Sequence, residues 1–155
     1  MCYAVVVTLT ALIIWSVCAR RALAIEATDE ETAASVTWVA DRFGSDPTRL
    51  PLSFVYGGRA SADVMSSWHT ELAQERLDDN RAQRTVTVTD PDTGLRVRME
   101  GVLFDDFPAV EWVLHLENNG SADTPILEQI LPLDTRELLS GDGDRDPILH
   151  YSKGA

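Results

Sequence analysis

The feature that most constrains the fold is a two-residue alternation of apolar and polar side chains between residues 85 and 117. Threonine and valine alternate through Thr85–Thr89, and Leu95, Val97 and Met99 then alternate with charged residues. A third alternating run begins at Val110. Successive side chains of a strand point to opposite faces of a sheet, whereas a helix would need a spacing of three to four. The pattern therefore predicts antiparallel strands with one buried face.

Turn signals separate these runs. Asp90–Gly94 contains Pro91, which presets φ, and a glycine that accepts positive φ, so it predicts a hairpin. Asn118–Ser121 predicts the next turn, and its Asn119-Gly120-Ser121 also fits the N-glycosylation acceptor pattern. Further strands are expected at 35–40, 52–56, 126–133 and 148–151. Six or seven short strands at this spacing predict an all-β fold, an antiparallel β-sandwich.

The segment after Ser61 has apolar residues spaced as in a helix rather than as in a strand. Val64, Trp68 and Leu72 recur every four residues after Ser61, a plausible N-cap, which predicts a short helix at about 61–78. The acidic stretch 25–34 has no clear period and is expected to be a solvated lead-in. The β-sandwich domain is then expected over 35–155, truncated at its C-terminal end because the last strand meets no terminating element.

The N-terminal segment looks like an export signal. Met1–Ala19 carries no charged side chain and precedes two arginines and a small-x-small site that ends at Ala24. This predicts a signal peptide over 1–24 and an exported, periplasmic or extracellular protein. The alternative is a retained membrane anchor, because nineteen uncharged residues are close to the ~20 that span a bilayer. Both cysteines, Cys2 and Cys18, lie in this segment, so the mature chain would have neither a disulfide nor a thiolate nucleophile.

Charge and length exclude other classes. A formal net charge of −12 opposes binding to phosphate backbones, so no nucleic-acid partner is expected. The chain has 155 residues, which is too few for a (β/α)₈ barrel of about 200 residues or more.

The acidic loop near the C-terminus is not predicted to bind metal. Asp142, Asp144 and Asp146 have the spacing of the first three ligands of a calcium loop. However, Pro147 stands where that loop needs glycine, and Lys153 stands where it needs a bidentate glutamate. A solvated acidic loop is the favoured interpretation, and no cofactor is predicted.

No catalytic constellation emerges from the remaining polar residues. Asp105 and Asp106 lie beside a Phe-Pro break, as turn aspartates do, so a solvated turn is favoured over a catalytic acid. The three histidines, His69, His115 and His150, are far apart with no ligand-like spacing.

The tryptophans admit two interpretations. Trp38, Trp68 and Trp112 could form a platform on which sugar rings stack. Trp112 falls on the apolar face of its strand, which favours core packing instead.

Four segments together closely resemble the N-terminal region of bacterial α-galactosidases of glycoside hydrolase family 36. They are Pro51–Arg59, Thr89–Arg98, Asp106–Trp112 and Asn118–Leu127. The strand ending in His150–Gly154 is similar to the next block of that region, so the resemblance covers roughly 51–154.

The resemblance implies a β-supersandwich, similar to galactose-mutarotase domains, that precedes a (β/α)₈ barrel. In that family the barrel supplies the two catalytic aspartates, and none of its motifs is present here. The chain is therefore expected to be a non-catalytic domain, inactive alone, that supports the barrel and its galactoside pocket and contributes oligomer contacts. Tyr56, Trp68 and His150 are the candidates for substrate binding or barrel docking. The alternative is a free-standing carbohydrate-binding module.

Overall fold

The computed structural model describes residues 26–135. The helices are α1 (Asp29–Arg42) and α2 (Ser61–Met65), with a 3₁₀ turn at Pro47–Arg49. The strands are β1 (Ser53–Tyr56), β2 (Arg59–Ala60), β3 (His69–Arg76), β4 (Arg81–Thr89), β5 (Leu95–Phe104), β6 (Val110–Asn118) and β7 (Leu127–Leu131). The predicted signal segment, the acidic loop at 142–147, the strand at 148–151 and His150 lie outside the described residues. Neither helix within 26–135 is long and apolar enough to cross a membrane.

The three alternating runs form β4, β5 and β6 of a four-stranded antiparallel sheet in the order β3-β4-β5-β6. Val88 pairs with Val97, and Val97 pairs with Leu116 on the next strand, so the apolar residues of neighbouring strands share one face. The side chains at Val86, Val88, Val97 and Met99 have no solvent exposure. The strand positions and the one-sided burial predicted from the alternation are confirmed.

A smaller antiparallel sheet in the order β2-β1-β7 forms the second layer. Its β7 edge is irregular: the register shifts between Ser53 and Val55 on β1, and Gln129 on β7 has φ of +50°. The two sheets and the helices contribute to one hydrophobic cluster, which comprises Val39, Phe43, Leu50, Leu52, Phe54, Tyr56, Val64, Met65, Trp68, Val86, Val88, Leu95, Val97 and Met99. The predicted all-β antiparallel sandwich is confirmed.

The strand predicted at 35–40 is wrong, because these residues belong to α1, which begins inside the predicted lead-in. A capping box starts this helix: Thr28 Oγ1 accepts from Glu31 N at 3.2 Å, and Glu31 Oε2 accepts from Thr28 N at 2.8 Å. Val39 and Phe43 lie four residues apart and are buried. Phe43 packs where Gly101 leaves room on β5, since a Cβ there would lie 2.9 Å from Phe43 Cζ.

The predicted short helix is present, but it ends at Met65 rather than near residue 78. Val64 and Trp68 are buried as the fourfold spacing suggests, whereas Leu72 is 53% exposed. From His69 the chain pairs with β4 over eight consecutive residues, and this ladder replaces the helix. Pairing with β4 therefore determines the structure of this segment, and the local fourfold spacing of apolar residues does not.

Candidate functional site

Three of the four segments singled out in the sequence, Pro51–Arg59, Thr89–Arg98 and Asn118–Leu127, meet at one end of the sandwich, here called the turn end. The remaining segment, Asp106–Trp112, contains the β5–β6 turn at the opposite end of β5. The turn end consists of the β1–β2 turn, the β4–β5 turn and the connection from β6 to β7. Gly57 N donates to Ile126 O at 3.0 Å, and Asn119 N donates to Gly94 O at 3.1 Å. Three loops that are distant in sequence are therefore held together by backbone hydrogen bonds.

Glycine permits the closest approach within the turn end. Gly94 has φ of +78°, and a Cβ at this position would lie 2.6 Å from Gly120 N. A side chain at residue 94 would be strained by its backbone angle and would also collide with the neighbouring loop. The β4–β5 turn and the β6–β7 connection can touch only because this residue is glycine.

A buried polar cluster joins the two sheets beneath these loops. The Tyr56 hydroxyl, from β1, lies 2.7 Å from Thr93 Oγ1 and donates to Asp90 Oδ2 at 3.2 Å. Thr93 Oγ1 donates to Asp90 Oδ2 at 2.6 Å, and Asp92 N donates to Asp90 Oδ1 at 3.0 Å. Asp90 is only 5% exposed, so its carboxylate is stabilised by donors of the protein rather than by water.

The environment of Tyr56 favours its neutral phenol. Burial raises the pKa of Tyr56 above its ordinary value of 10.0, although the hydrogen bond with Thr93 lowers it. The carboxylate of Asp90 raises the pKa further. Tyr56 is therefore a neutral hydrogen-bonding group at physiological pH and is not poised to act as a base.

A pocket of about 280 Å³ opens above this cluster and is called the turn-end pocket. It is lined by Tyr56, Gly57, Arg59, Val64, Ser67, Trp68, Asp90, Asp92, Thr93 and Pro125. Tyr56 and Trp68 meet edge to face, with ring centroids 5.5 Å apart. Arg59 and Asp92 are exposed and supply charged groups at the mouth. The lining therefore combines aromatic edges with hydroxyl, guanidinium and carboxylate groups.

The structure thus brings together two of the three predicted site residues, Tyr56 and Trp68. Trp68 is only 9% exposed and meets Tyr56 with an interplanar angle of 88°. It shapes one wall of the pocket rather than offering an open stacking face. Sequence reasoning missed Arg59, Asp90 and Asp92 because they lie in turn sequences. The Asp90-x-x-Thr93 spacing, at which an aspartate can bond its own turn, was the available signal.

Trp38 and Trp112 line a second and more open cavity, called the tryptophan groove. It has a volume of about 560 Å³ and is lined by Glu31, Ala34, Ser35, Trp38, Pro108, Val110 and Trp112. The Trp38 and Trp112 rings are tilted by 31°, with centroids 5.8 Å apart. Trp112 also packs against Phe43, and its Nε1 donates to Pro132 O at 2.8 Å. Trp112 therefore packs against the core, as expected, and also lines an open groove.

The candidate acid residues behave as turn residues. Asp105 and Asp106 are exposed, and Asp105 pairs with Arg76 at 2.5 Å. His115 lies on the outer face of β6, as predicted, with Nε2 3.4 Å from Glu100 Oε2. Among residues 26–135, no group of three or more His, Cys, Asp or Glu side chains is placed to hold a metal ion.

Comparison of the chain with protein-family models, with curated proteins and with solved structures finds no match.

Proposed function

We propose that the chain is the non-catalytic N-terminal β-sandwich of an exported α-galactosidase-like glycoside hydrolase. Its role is to support a (β/α)₈ barrel that carries the catalytic aspartates and binds the galactoside. In this proposal the turn end shapes one wall of the substrate pocket, and the sandwich contributes to oligomer contacts.

The observation that carries the proposal is that three of the four resembling segments converge at the turn end, while Asp106–Trp112 lies at the opposite end of β5. Tyr56 from the first segment hydrogen-bonds the Asp90–Thr93 turn of the second, and the fourth segment packs against both. A resemblance scattered over unrelated surfaces would say little about function. One that assembles a single polar site supports a shared role for that site.

The apolar surface around β7 supports the docking part of the proposal. Ile126 is 73% exposed, Leu133 is 58% exposed, and Ile130 and Leu131 are each more than 40% exposed. Ile130 and Leu131 lie in the edge strand β7, and Ile126 and Leu133 lie just before and just after it in the chain. Exposed apolar side chains grouped in this way are typical of an interaction surface.

An activity assay tests the proposal first. The purified chain is expected to release no aryl alcohol from an aryl α-galactoside beyond the amount released by a mock purification. Turnover that exceeds the mock and follows the chain through successive columns would refute the non-catalytic role.

Variants of the barrel-containing protein that the proposal requires test the docking surface. Leu133→Glu places a charge in the β7 surface and is expected to lower α-galactosidase activity and to expose the interdomain region to proteolysis. Leu72→Glu is the matched control, because Leu72 is also exposed (53%) but lies on β3 in the other sheet. Equal effects of the two changes would contradict docking through β7.

The tryptophan groove favours a second candidate function, a carbohydrate-binding module. Trp38 and Trp112 present two neighbouring aromatic rings, and the Ser35 hydroxyl and Glu31 carboxylate lie in the same groove. Aromatic rings bind the apolar faces of sugars, and nearby polar groups bind their hydroxyls.

Titration with galactose or raffinose, followed by tryptophan fluorescence, tests this candidate. A binding groove predicts a saturable change that Trp38→Ala abolishes and that Trp68→Phe, a change at the other pocket, retains. The absence of a saturable signal at millimolar sugar would eliminate the groove as a useful sugar site.

A further inference from the structure

The connection after β6 contains the pair Asn119-Gly120, whose chemistry neither proposed function uses. In an Asn-Gly pair the glycine nitrogen can attack the asparagine side-chain carbonyl, because no glycine Cβ obstructs the approach. The new bond joins the nitrogen of residue 120 to Cγ of residue 119, and the Cγ–Nδ2 bond breaks to release ammonia. Water then opens the succinimide to aspartate or isoaspartate, so the step needs only water.

Arg96 lies beside the Asn119 side-chain carbonyl, which is the group that the Gly120 nitrogen attacks. The Asn119 side-chain amide is oriented with its oxygen toward Arg96, because the Arg96 nitrogens can only donate hydrogen bonds. In this orientation the oxygen lies 2.9 Å from Arg96 Nε and 3.1 Å from each of the two terminal nitrogens of Arg96. Negative charge develops on this oxygen as the tetrahedral intermediate forms. The oxygen is nearly equidistant from the three nitrogens and so lies over the face of the guanidinium, whose positive charge stabilises the developing negative charge by Coulomb attraction.

The structure also restrains the nucleophile. Gly120 N donates to Asn118 Oδ1 at 2.9 Å, and Asn118 is itself held by a 2.9 Å hydrogen bond from its Nδ2 to Ala122 O. The backbone of Gly120 is confined as well, because a Cβ there would overlap the carbonyl oxygen of Thr93. The attacking nitrogen is therefore engaged with the preceding asparagine and cannot rotate freely.

We propose that Asn119 is a latent deamidation site, at which Arg96 activates the side-chain carbonyl and Asn118 restrains the Gly120 nitrogen. Conversion would place a new carboxylate beside Arg96, which already lies 3.6 Å from Glu117. Isoaspartate would also lengthen the backbone where Asn119 N bonds Gly94 O, and this would loosen the turn end.

Peptide mapping by mass spectrometry tests the proposal on the purified chain during incubation in mildly alkaline buffer. Asn118→Ala should convert residue 119 about five- to tenfold faster than the unaltered chain, the factor expected from releasing one hydrogen bond. Ser121→Ala is the control in the same loop and should leave the rate unchanged. Adding Arg96→Leu to Asn118→Ala should slow the reaction again.

A folded Asn118→Ala variant that converts at the unaltered rate would overturn the proposal, as would a double variant that converts no more slowly than the single one. If Asn118→Ala does not fold, the Arg96→Leu variant alone is compared with the unaltered chain instead. Conversion of residue 119 should then be slower in Arg96→Leu, and an unchanged rate in that variant would equally overturn the proposal.

Discussion

Replacing Tyr56 with phenylalanine removes only the hydroxyl that links the two sheets at the turn end. The aromatic ring remains and can keep its edge-to-face contact with Trp68. The change deletes the contacts to Thr93 Oγ1 at 2.7 Å and to Asp90 Oδ2 at 3.2 Å. Its effect therefore measures the polar link separately from hydrophobic packing.

The expected cost is about 1–2 kcal/mol in the free energy of unfolding. The phenol has one hydrogen to donate, and a hydrogen bond contributes ~1 kcal/mol between neutral groups and ~1.5–3 kcal/mol to a charged one. Asp90 keeps its bonds from Thr93 Oγ1 and Asp92 N, which limits the loss. Tyr56→Ala, which also removes the buried ring, should cost about 3–5 kcal/mol.

Urea unfolding followed by tryptophan fluorescence provides the assay, with the slope m as a check that both chains unfold to a similar extent. The pH dependence gives a second test. The folded-state pKa of Tyr56 is raised, so its contribution to stability is complete below 10.0 and is lost as the pH rises through the folded-state pKa. In Tyr56→Phe, the free energy of unfolding should therefore fall less at alkaline pH than it does in the unaltered chain. A change within about 0.5 kcal/mol, the usual range for surface substitutions, would refute the polar link.

Three further predictions concern other parts of the fold. Gly101→Ala should cost about 1–3 kcal/mol by overpacking, because its Cβ would lie 2.9 Å from Phe43 Cζ; thermal melts with and without Phe43→Leu should show that the second change offsets part of the loss. Hydrogen bonds from Thr28 lower the pKa of Glu31 below 4.5, so α1 should lose stability as the pH falls through the folded-state pKa, and far-UV circular dichroism should show less of this loss in Glu31→Gln. Gly94→Ala should cost more than ~1 kcal/mol, because alanine is strained at φ of +78° and would also meet the adjoining turn; chemical denaturation would contradict this if the variant matched the unaltered chain.

The three-stranded part of the sheet formed by β4, β5 and β6 was the most predictable part of the molecule. The alternation at Leu95, Val97 and Met99 predicts burial on one face because period two is a property of the strand backbone itself, and these residues are buried. The turn at Asp90–Gly94 was equally predictable, since proline and glycine impose its backbone angles.

The parts that were not predicted depend on contacts between distant residues. Val36 and Thr37 suggest a strand by composition, but α1 is selected by its capping box and by Phe43 packing at Gly101 on β5. Leu72 fits a helical period, but the ladder with β4 places it on an exposed strand. In neither case does the local pattern contain the partner that decides the structure.

The candidate site was predictable only in part, for the same reason. Tyr56 and Trp68 stood out as aromatic residues near the resembling segments, but nothing local indicated that Tyr56 would bond to Asp90, thirty-four residues away. Arg59 and Asp92 became site residues only when the loops were assembled.

The mass of the native gene product tests the central proposal most directly. An antibody raised against the purified chain can identify that product in its source cells, and mass spectrometry can then size it. The account predicts a product larger than this 17.1 kDa chain by at least a (β/α)₈ barrel, typically about 250 residues. A native product of 17.1 kDa or less would contradict the proposal that this sandwich supports a catalytic barrel.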